Sequence, residues 1–264
     1  MHLQCGDLQV AWREWGRGEP LVLIHGLADD HRAWRKTLAW LTLEHRVIAY
    51  DLRGHGETNL GQAEGSLAQL AHDLIRLMDA LELPRAALAG FSLGGTVVLR
   101  AAIDHPQRVT ALLPIATSSR VGRVAAEWYT ERARLADQGW ETLAPALRAD
   151  TREQFAGAPA ELEAHWRLRQ QAVCDPAGFA NACRAMAALR AQPLDGELSR
   201  IQAPLLVIAA AEDQLCPPRA AEAIQAGVAA ARLAIIAGSG HQVEVEQPEQ
   251  LSKAMLRFLA DPRR

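Results

Sequence analysis

Short apolar runs and longer amphipathic stretches alternate along most of the chain. The runs are "PLVLIHG" at 20–26, "RVIAYD" at 46–51, "RAALAGFS" at 85–92, "TALLPIAT" at 110–117, "APLLVIAAAED" at 203–213 and "ARLAIIAGSGH" at 231–241. Each is rich in Val, Ile, Leu and Ala and lacks the every-second-residue polarity of a half-exposed strand, so each suits a strand buried on both faces of a parallel sheet. Between the second and third runs, Leu67, Leu70, Leu74, Leu77, Met78 and Leu81 recur at helical spacing, which predicts a helix over 66–83 with Ser66 as its N-cap. Strand, helix and strand in succession predict an α/β fold.

The alternation fails between 118 and 195. That segment is rich in Ala and Arg, carries Trp128, Trp140 and Trp166, and shows helical spacing with no strand run. It reads as a helical cap inserted into a core made of 1–117 and 196–264. The tryptophans read first as anchors of cap helices, and second as an aromatic pocket lid. Trp34 reads as packing beneath a neighbouring loop. No internal repeat or low-complexity linker separates the parts, so the cap is expected to pack on the core.

With 264 residues, 49% hydrophobic and 22% charged, the composition is that of an ordinary globular protein. A net charge of −3 offers no electrostatic case for nucleic acid or an anionic membrane. A small-molecule partner fits better. Cys5, Cys174, Cys183 and Cys216 are scattered without a CxxC pair, so neither a metal site nor a disulfide framework is expected. No signal-peptide pattern and no long apolar stretch appears, which makes a cytoplasmic location the expectation.

Ser92 interrupts the third run inside Gly90-x-Ser92-x-Gly94. A strand that reverses into a helix within two residues crowds its own backbone, which is why glycines flank the turn. The serine then stands at the carboxyl edge of the sheet, where open α/β sheets bind ligands, and at a helix N-terminus, whose partial positive charge favours a developing oxyanion. A bare Gly/Ser turn before a helix would look similar, so the rest of the chain must decide.

An alcohol needs a base to act as a nucleophile, and the base needs a carboxylate to orient it. Of nine histidines, His241 follows the last strand run after small residues. His25 is better explained by the turn at Gly26, and His55 by its place between glycines. His2, His31, His45, His72, His105 and His165 fall on the N-terminal segment, helices or surface loops. Asp213 closes the fifth run and leaves room for a helix and one strand before His241, in the order Ser, Asp, His. Asp51 also ends a strand and is the rival. Glu212, if still extended, points away from the Asp213 side.

Five stretches, "HGL" at 25–27, "DLRGHG" at 51–56, "GFSLGG" at 90–95, "AEDQLCP" at 211–217 and "GSGHQVEVEQP" at 238–248, together resemble the α/β-hydrolase superfamily in order and spacing across nearly the whole chain. Ala210 departs from the glycine that many members carry three residues before the acid. The resemblance implies a mostly parallel eight-stranded sheet flanked by helices, with Ser92, Asp213 and His241 as a catalytic triad, the N–H groups of Leu27 and Leu93 as an oxyanion hole, 118–195 as the cap, and no cofactor. Within the superfamily the chain is similar to the branch of 3-oxoadipate enol-lactonases, carboxylesterases and cofactor-free haloperoxidases, partly through "DPAGFANACRAMAALRAQPLDGEL" at 175–198. Ser92 argues against members that use an aspartate nucleophile. The expected activity is cleavage of a small ester or lactone. The alternatives are a carbon–carbon bond hydrolase of a vinylogous diketone and, outside enzymes, a small-molecule receptor on the same scaffold. Ten arginines and ten acidic residues balance within 118–195, so charge does not choose an anionic substrate there.

Overall fold

The computed structural model describes residues 1–157 and 159–262. In chain order the strands are β1 (His2–Cys5), β2 (Leu8–Trp15), β3 (Glu19–Ile24), β4 (His45–Tyr50), β5 (Ala86–Phe91), β6 (Val109–Ile115), β7 (Leu206–Ala210) and β8 (Arg232–Ile236). The helices are α1 (Leu38–Leu41), α2 (Leu67–Ala80), α3 (Leu93–Asp104), α4 (Arg123–Asp137), α5 (Trp140–Glu153), α6 (Pro159–Ala172), α7 (Pro176–Ala188), α8 (Pro218–Gly227), α9 (Val243–Glu246) and α10 (Pro248–Ala260). Every apolar run of the sequence contains a strand. The predicted helix appears as α2, and the Ser66 hydroxyl caps it by accepting the Gln69 N–H at 3.1 Å.

The eight strands form one sheet in the order β1-β2-β4-β3-β5-β6-β7-β8. The β1–β2 and β2–β4 pairs are antiparallel and the rest are parallel. Side chains alternate between two apolar faces. Val22, Ile24, Ile48, Tyr50 and Leu88 join the core under α2 and α3, while Leu21, Leu23, Val47, Ala49 and Phe91 join the core under α1 and α10. Burial on both faces is the reason these strands read as continuous apolar runs. Trp34 lies fully buried in the second core, as packing.

The direction of winding fixes where a site can form. From β3 the chain moves to β4 on one side, then returns past β3 to β5 and continues outward to β8. The switch therefore falls between β3 and β5, whose last paired residues are Ile24 and Gly90. The loops leaving these two strands meet in the crevice that such a reversal opens.

Between β6 and β7 stand α4 to α7, the stretch that lacked strand runs. They pack on one another and on the core. Arg132 of α4 and Asp150 of α5 form a two-bonded ion pair at 2.6 and 2.7 Å. A Cβ at Gly178 of α7 would lie 1.9 Å from the Gly54 carbonyl, so backbone packs on backbone there. Trp140 and Trp166 stack at 6.3 Å between α5 and α6, with Trp166 buried. Among the described residues no helix is long and apolar enough to cross a membrane.

Candidate active site

Ser92 sits between β5 and α3 with φ 52° and ψ −116°, a region that costs a non-glycine residue ~1–3 kcal/mol. The surroundings leave it no alternative. A Cβ at Gly90 would meet the Gly94 carbonyl at 2.1 Å, and one at Gly94 would meet the Ile24 carbonyl at 2.3 Å. The turn is also tied from outside: the Ser92 N–H donates to Ile115 O at 2.9 Å, and the Thr117 hydroxyl donates to Ser92 O at 2.7 Å. The result is a half-buried hydroxyl raised on a rigid backbone.

His241 Nε2 lies 2.9 Å from Ser92 Oγ, and its Nδ1 lies 2.8 Å from Asp213 Oδ2. The other carboxylate oxygen of Asp213 accepts the N–H groups of Leu215 and Cys216 at 2.8 and 2.9 Å. Burial works to raise the Asp213 carboxyl, but His241 and these N–H groups outweigh it and hold it below the usual range. An ionised carboxylate only accepts, so it holds the proton on Nδ1 and leaves the Nε2 lone pair facing the serine hydroxyl. Phe91 packs against the imidazole at 5.1 Å between centroids. The loop before His241 is fastened by Glu212, whose carboxylate accepts the N–H groups of Gly238 and Ser239 at 3.2 and 2.7 Å. Glu212 thus points away from the Asp213–His241 pair while holding the loop that carries the histidine.

Asp51, the rival acid, is fully buried on other business. Its oxygens accept the N–H of His31 at 2.8 Å, His31 Nδ1 at 2.7 Å and the N–H of Glu57 at 2.9 Å, which closes the "DLRGHG" turn. Asp30, His31 and Asp51 present ligand atoms within 4.8 Å of one another. Arg32 occupies Asp30, and the bonds just given occupy Asp51, so the group is a closed set of ion pairs and hydrogen bonds. His55 is buried beside Arg53 O, and burial pushes it down to about 4, which leaves a neutral ring.

The loop after β3 supplies the second half of the crevice. Among the described residues no acceptor takes the Leu27 N–H. Leu93, first residue of α3, has no carbonyl one turn back within its helix. His25 fixes the direction of the peptide that carries the Leu27 N–H. Its Nε2 accepts the Leu52 N–H at 2.9 Å, so Nδ1 carries the proton and donates to Gly26 O at 2.7 Å. Gly26 C=O and Leu27 N–H share one peptide plane and point in opposite directions. Holding the first fixes the second.

A buried charged group beneath this loop went unread in the sequence. Asp29, His165, Arg169 and Glu244 are all nearly or fully buried. Burial, with Asp29 adding to it, pushes Glu244 well above the usual carboxylate range, and burial pushes His165 down to about 4. His165 is therefore neutral near pH 7, and the Glu244 site favours the protonated carboxyl. Burial works to raise the Asp29 carboxyl, but the Arg169 guanidinium outweighs it and holds the carboxyl below the usual range. The one trace in the sequence is His165 and Arg169 spaced i, i+4 on α6, a face that is apolar in an ordinary packed helix.

The family described as the α/β hydrolase fold matches residues 19–248. A protein assigned as a carbamate hydrolase, RutD, from Variovorax paradoxus is 32% identical over 92% of this chain and 92% of its own length. The 3-oxoadipate enol-lactonase 2 of Acinetobacter baylyi is 27% identical over 96% of this chain and 94% of its own. The crystal structure of the enol-lactonase from Burkholderia xenovorans superposes with a TM-score of 0.89 at 26% identity, covering 99% of this chain and 100% of that one.

Proposed function

Because this chain belongs to the α/β-hydrolase family and is a hydrolase, we propose that it cleaves a small carboxylic ester or lactone through an acyl-enzyme on Ser92. The observation that carries the reading is the unbroken line of hydrogen bonds from Ser92 Oγ through His241 to Asp213. As Oγ attacks the substrate carbonyl carbon, its proton passes to His241 Nε2, and Asp213 stabilises the imidazolium. The carbonyl oxygen, now an anion, accepts the N–H groups of Leu27 and Leu93 at the start of α3. His241 then returns the proton to the leaving alkoxide. A water molecule, deprotonated by the same histidine, releases the acyl group and restores the serine.

Relatives assigned to a carbamate and to an enol-lactone support a substrate whose carbonyl carbon bears a heteroatom leaving group. Residues 118–195 serve in this reading as the cap that walls the pocket. Turnover of p-nitrophenyl acetate and of a panel of lactones, esters and vinylogous diketones tests it, with Ser92→Ala as the control. The variant is expected to lose at least ~10⁴-fold in kcat with an unchanged melting temperature, since triad members act as a unit. Retention of more than a tenth of the wild-type kcat rejects Ser92 as nucleophile. Tight binding across the panel without turnover of any member favours a receptor.

A further inference from the structure

Arg169 lies on α6, 3% exposed, and its guanidinium is divided among three partners. Nη2 donates to the Leu27 carbonyl at 2.7 Å, Nε to Asp29 Oδ1 at 3.2 Å, and Nη1 to the Thr151 hydroxyl of α5 at 2.9 Å. The first contact matters because of where Leu27 O sits. His25 grips the peptide plane before the Leu27 Cα, the plane that carries the N–H proposed as an oxyanion donor. Arg169 grips the plane after it. The next residue, Ala28, is held at φ +64°, a conformation that alanine leaves when free to do so. With the Leu27–Ala28 plane released, rotation about the Leu27 Cα and relaxation at Ala28 would swing the loop and tip the N–H off its aim. An oxyanion donor is effective only when it is oriented before the charge develops.

We propose that Arg169 is a positioning residue for the hydrolytic reaction, holding the Leu27 side of the oxyanion pocket from the helical segment, so that docking of α5 and α6 on the core is a condition of transition-state stabilisation. The inference rests on the acyl-enzyme reading of Ser92. It gives residues 118–195 a role beyond walling the pocket. Both donors belong to the core, yet the loop that carries Leu27 is shaped by a side chain from the insertion. A lysine at this position would keep the charge beside Asp29 but lacks the planar fork that reaches Leu27 O and Thr151 together.

The test compares Arg169→Lys and Thr151→Val with wild type on p-nitrophenyl acetate and butyrate, with active sites counted by a phosphonate titrant. Removing an oxyanion donor outright costs ~10²- to 10³-fold. Misaligning one through Arg169→Lys is expected to lower kcat per active site about 10- to 100-fold, with KM within about twofold and the same factor for both acyl lengths. Affinity for a trifluoromethyl ketone, which forms a tetrahedral adduct, should fall by the same factor as kcat/KM. Thr151→Val, which frees only the Nη1 anchor, should show a smaller loss of the same kind and serves alone if Arg169→Lys does not fold. Arg169→Ala should regain activity in millimolar guanidinium chloride. A kcat per active site within twofold of wild type in the readable variants overturns the inference, as does a loss confined to KM or to the longer acyl chain. Turnover surviving in Ser92→Ala would instead bring down the acyl-enzyme reading, so the two failures are told apart.

Discussion

Asp213→Asn and Asp51→Asn separate the two strand-end carboxylates by chemistry rather than by position. In Asp213→Asn, the amide oxygen takes the Leu215 and Cys216 N–H groups, which both bond Oδ1 at present. Its NH₂ then faces His241 Nδ1 where Oδ2 stood. Two donors cannot face each other, so the imidazole gives up the Nδ1 proton and carries it on Nε2. The ring then presents a proton to Ser92 Oγ instead of a lone pair. Loss of the correct tautomer costs ~10⁴ in kcat, which is about 5.5 kcal/mol of barrier. Asp51→Asn has a different outcome. With its oxygen kept on His31, its NH₂ opposes only the Glu57 N–H. One buried donor left unsatisfied costs about 1–3 kcal/mol of stability, and the His241 tautomer is untouched. The assay is kcat on p-nitrophenyl acetate at a temperature where both variants are folded, alongside urea unfolding. Asp213→Asn should be nearly inactive, and Asp51→Asn should be less stable with kcat within a few-fold of wild type. An Asp213→Asn variant above a tenth of wild-type kcat, or an inactive Asp51→Asn variant of unchanged stability, refutes the reasoning.

Glu244 keeps a proton in the folded protein that the unfolded chain releases, since burial raises its carboxyl well above 4.5. The native state therefore binds more protons above that pH, and stability falls as pH rises, by about 1.4 kcal/mol for each unit of displacement. Glu244→Gln removes this dependence, so its melting temperature relative to wild type should climb between pH 5 and pH 8; parallel curves would contradict it. Gly94→Ala drives a methyl to 2.3 Å from Ile24 O and 2.6 Å from His25 O, so it should cost ~1–3 kcal/mol or more and reduce kcat, whereas Gly196→Ala, with nothing within 4 Å, should change neither. Trp166→Ala empties a buried stack and should cost ~3–5 kcal/mol by urea unfolding. Unchanged stability with a shifted acyl preference would make Trp166 a pocket wall instead of an anchor.

The parallel strands β3 to β7 were legible because burial on both faces keeps their interiors apolar; the run at 231–241 read the same way, but its strand β8 stands at the sheet edge and leaves Arg232 and Ile235 exposed. The antiparallel pair β1 and β2 was not among the apolar runs, since His2–Cys5 and the end of Leu8–Trp15 are partly exposed and keep polar side chains. Ser92, Asp213 and His241 were legible for a related reason. Each follows an apolar strand and stands beside small or turn-forming residues, so a polar side chain there has no local partner to explain it. His25 was read as part of a turn, which is accurate for its contact with Gly26 O, but its aim on the Leu27 peptide depends on Leu52, from the neighbouring strand's loop. Arg169 left only its i, i+4 spacing with His165 as a trace. A charged residue on an Ala- and Arg-rich helix reads as solvent-facing, and only the docking of α6 brings Asp29 and Leu27 O to it.

In the proposed reaction one hydroxyl, that of Ser92, carries the acyl group. Its most direct test is stoichiometric reaction with a fluorophosphonate, followed by intact mass and peptide mapping as activity is lost. A single adduct on Ser92 is expected, with loss of esterase activity in proportion to labelling and no adduct on Ser92→Ala. Full labelling of Ser92 with activity retained, or inactivation that tracks an adduct elsewhere while Ser92 stays free, would contradict it.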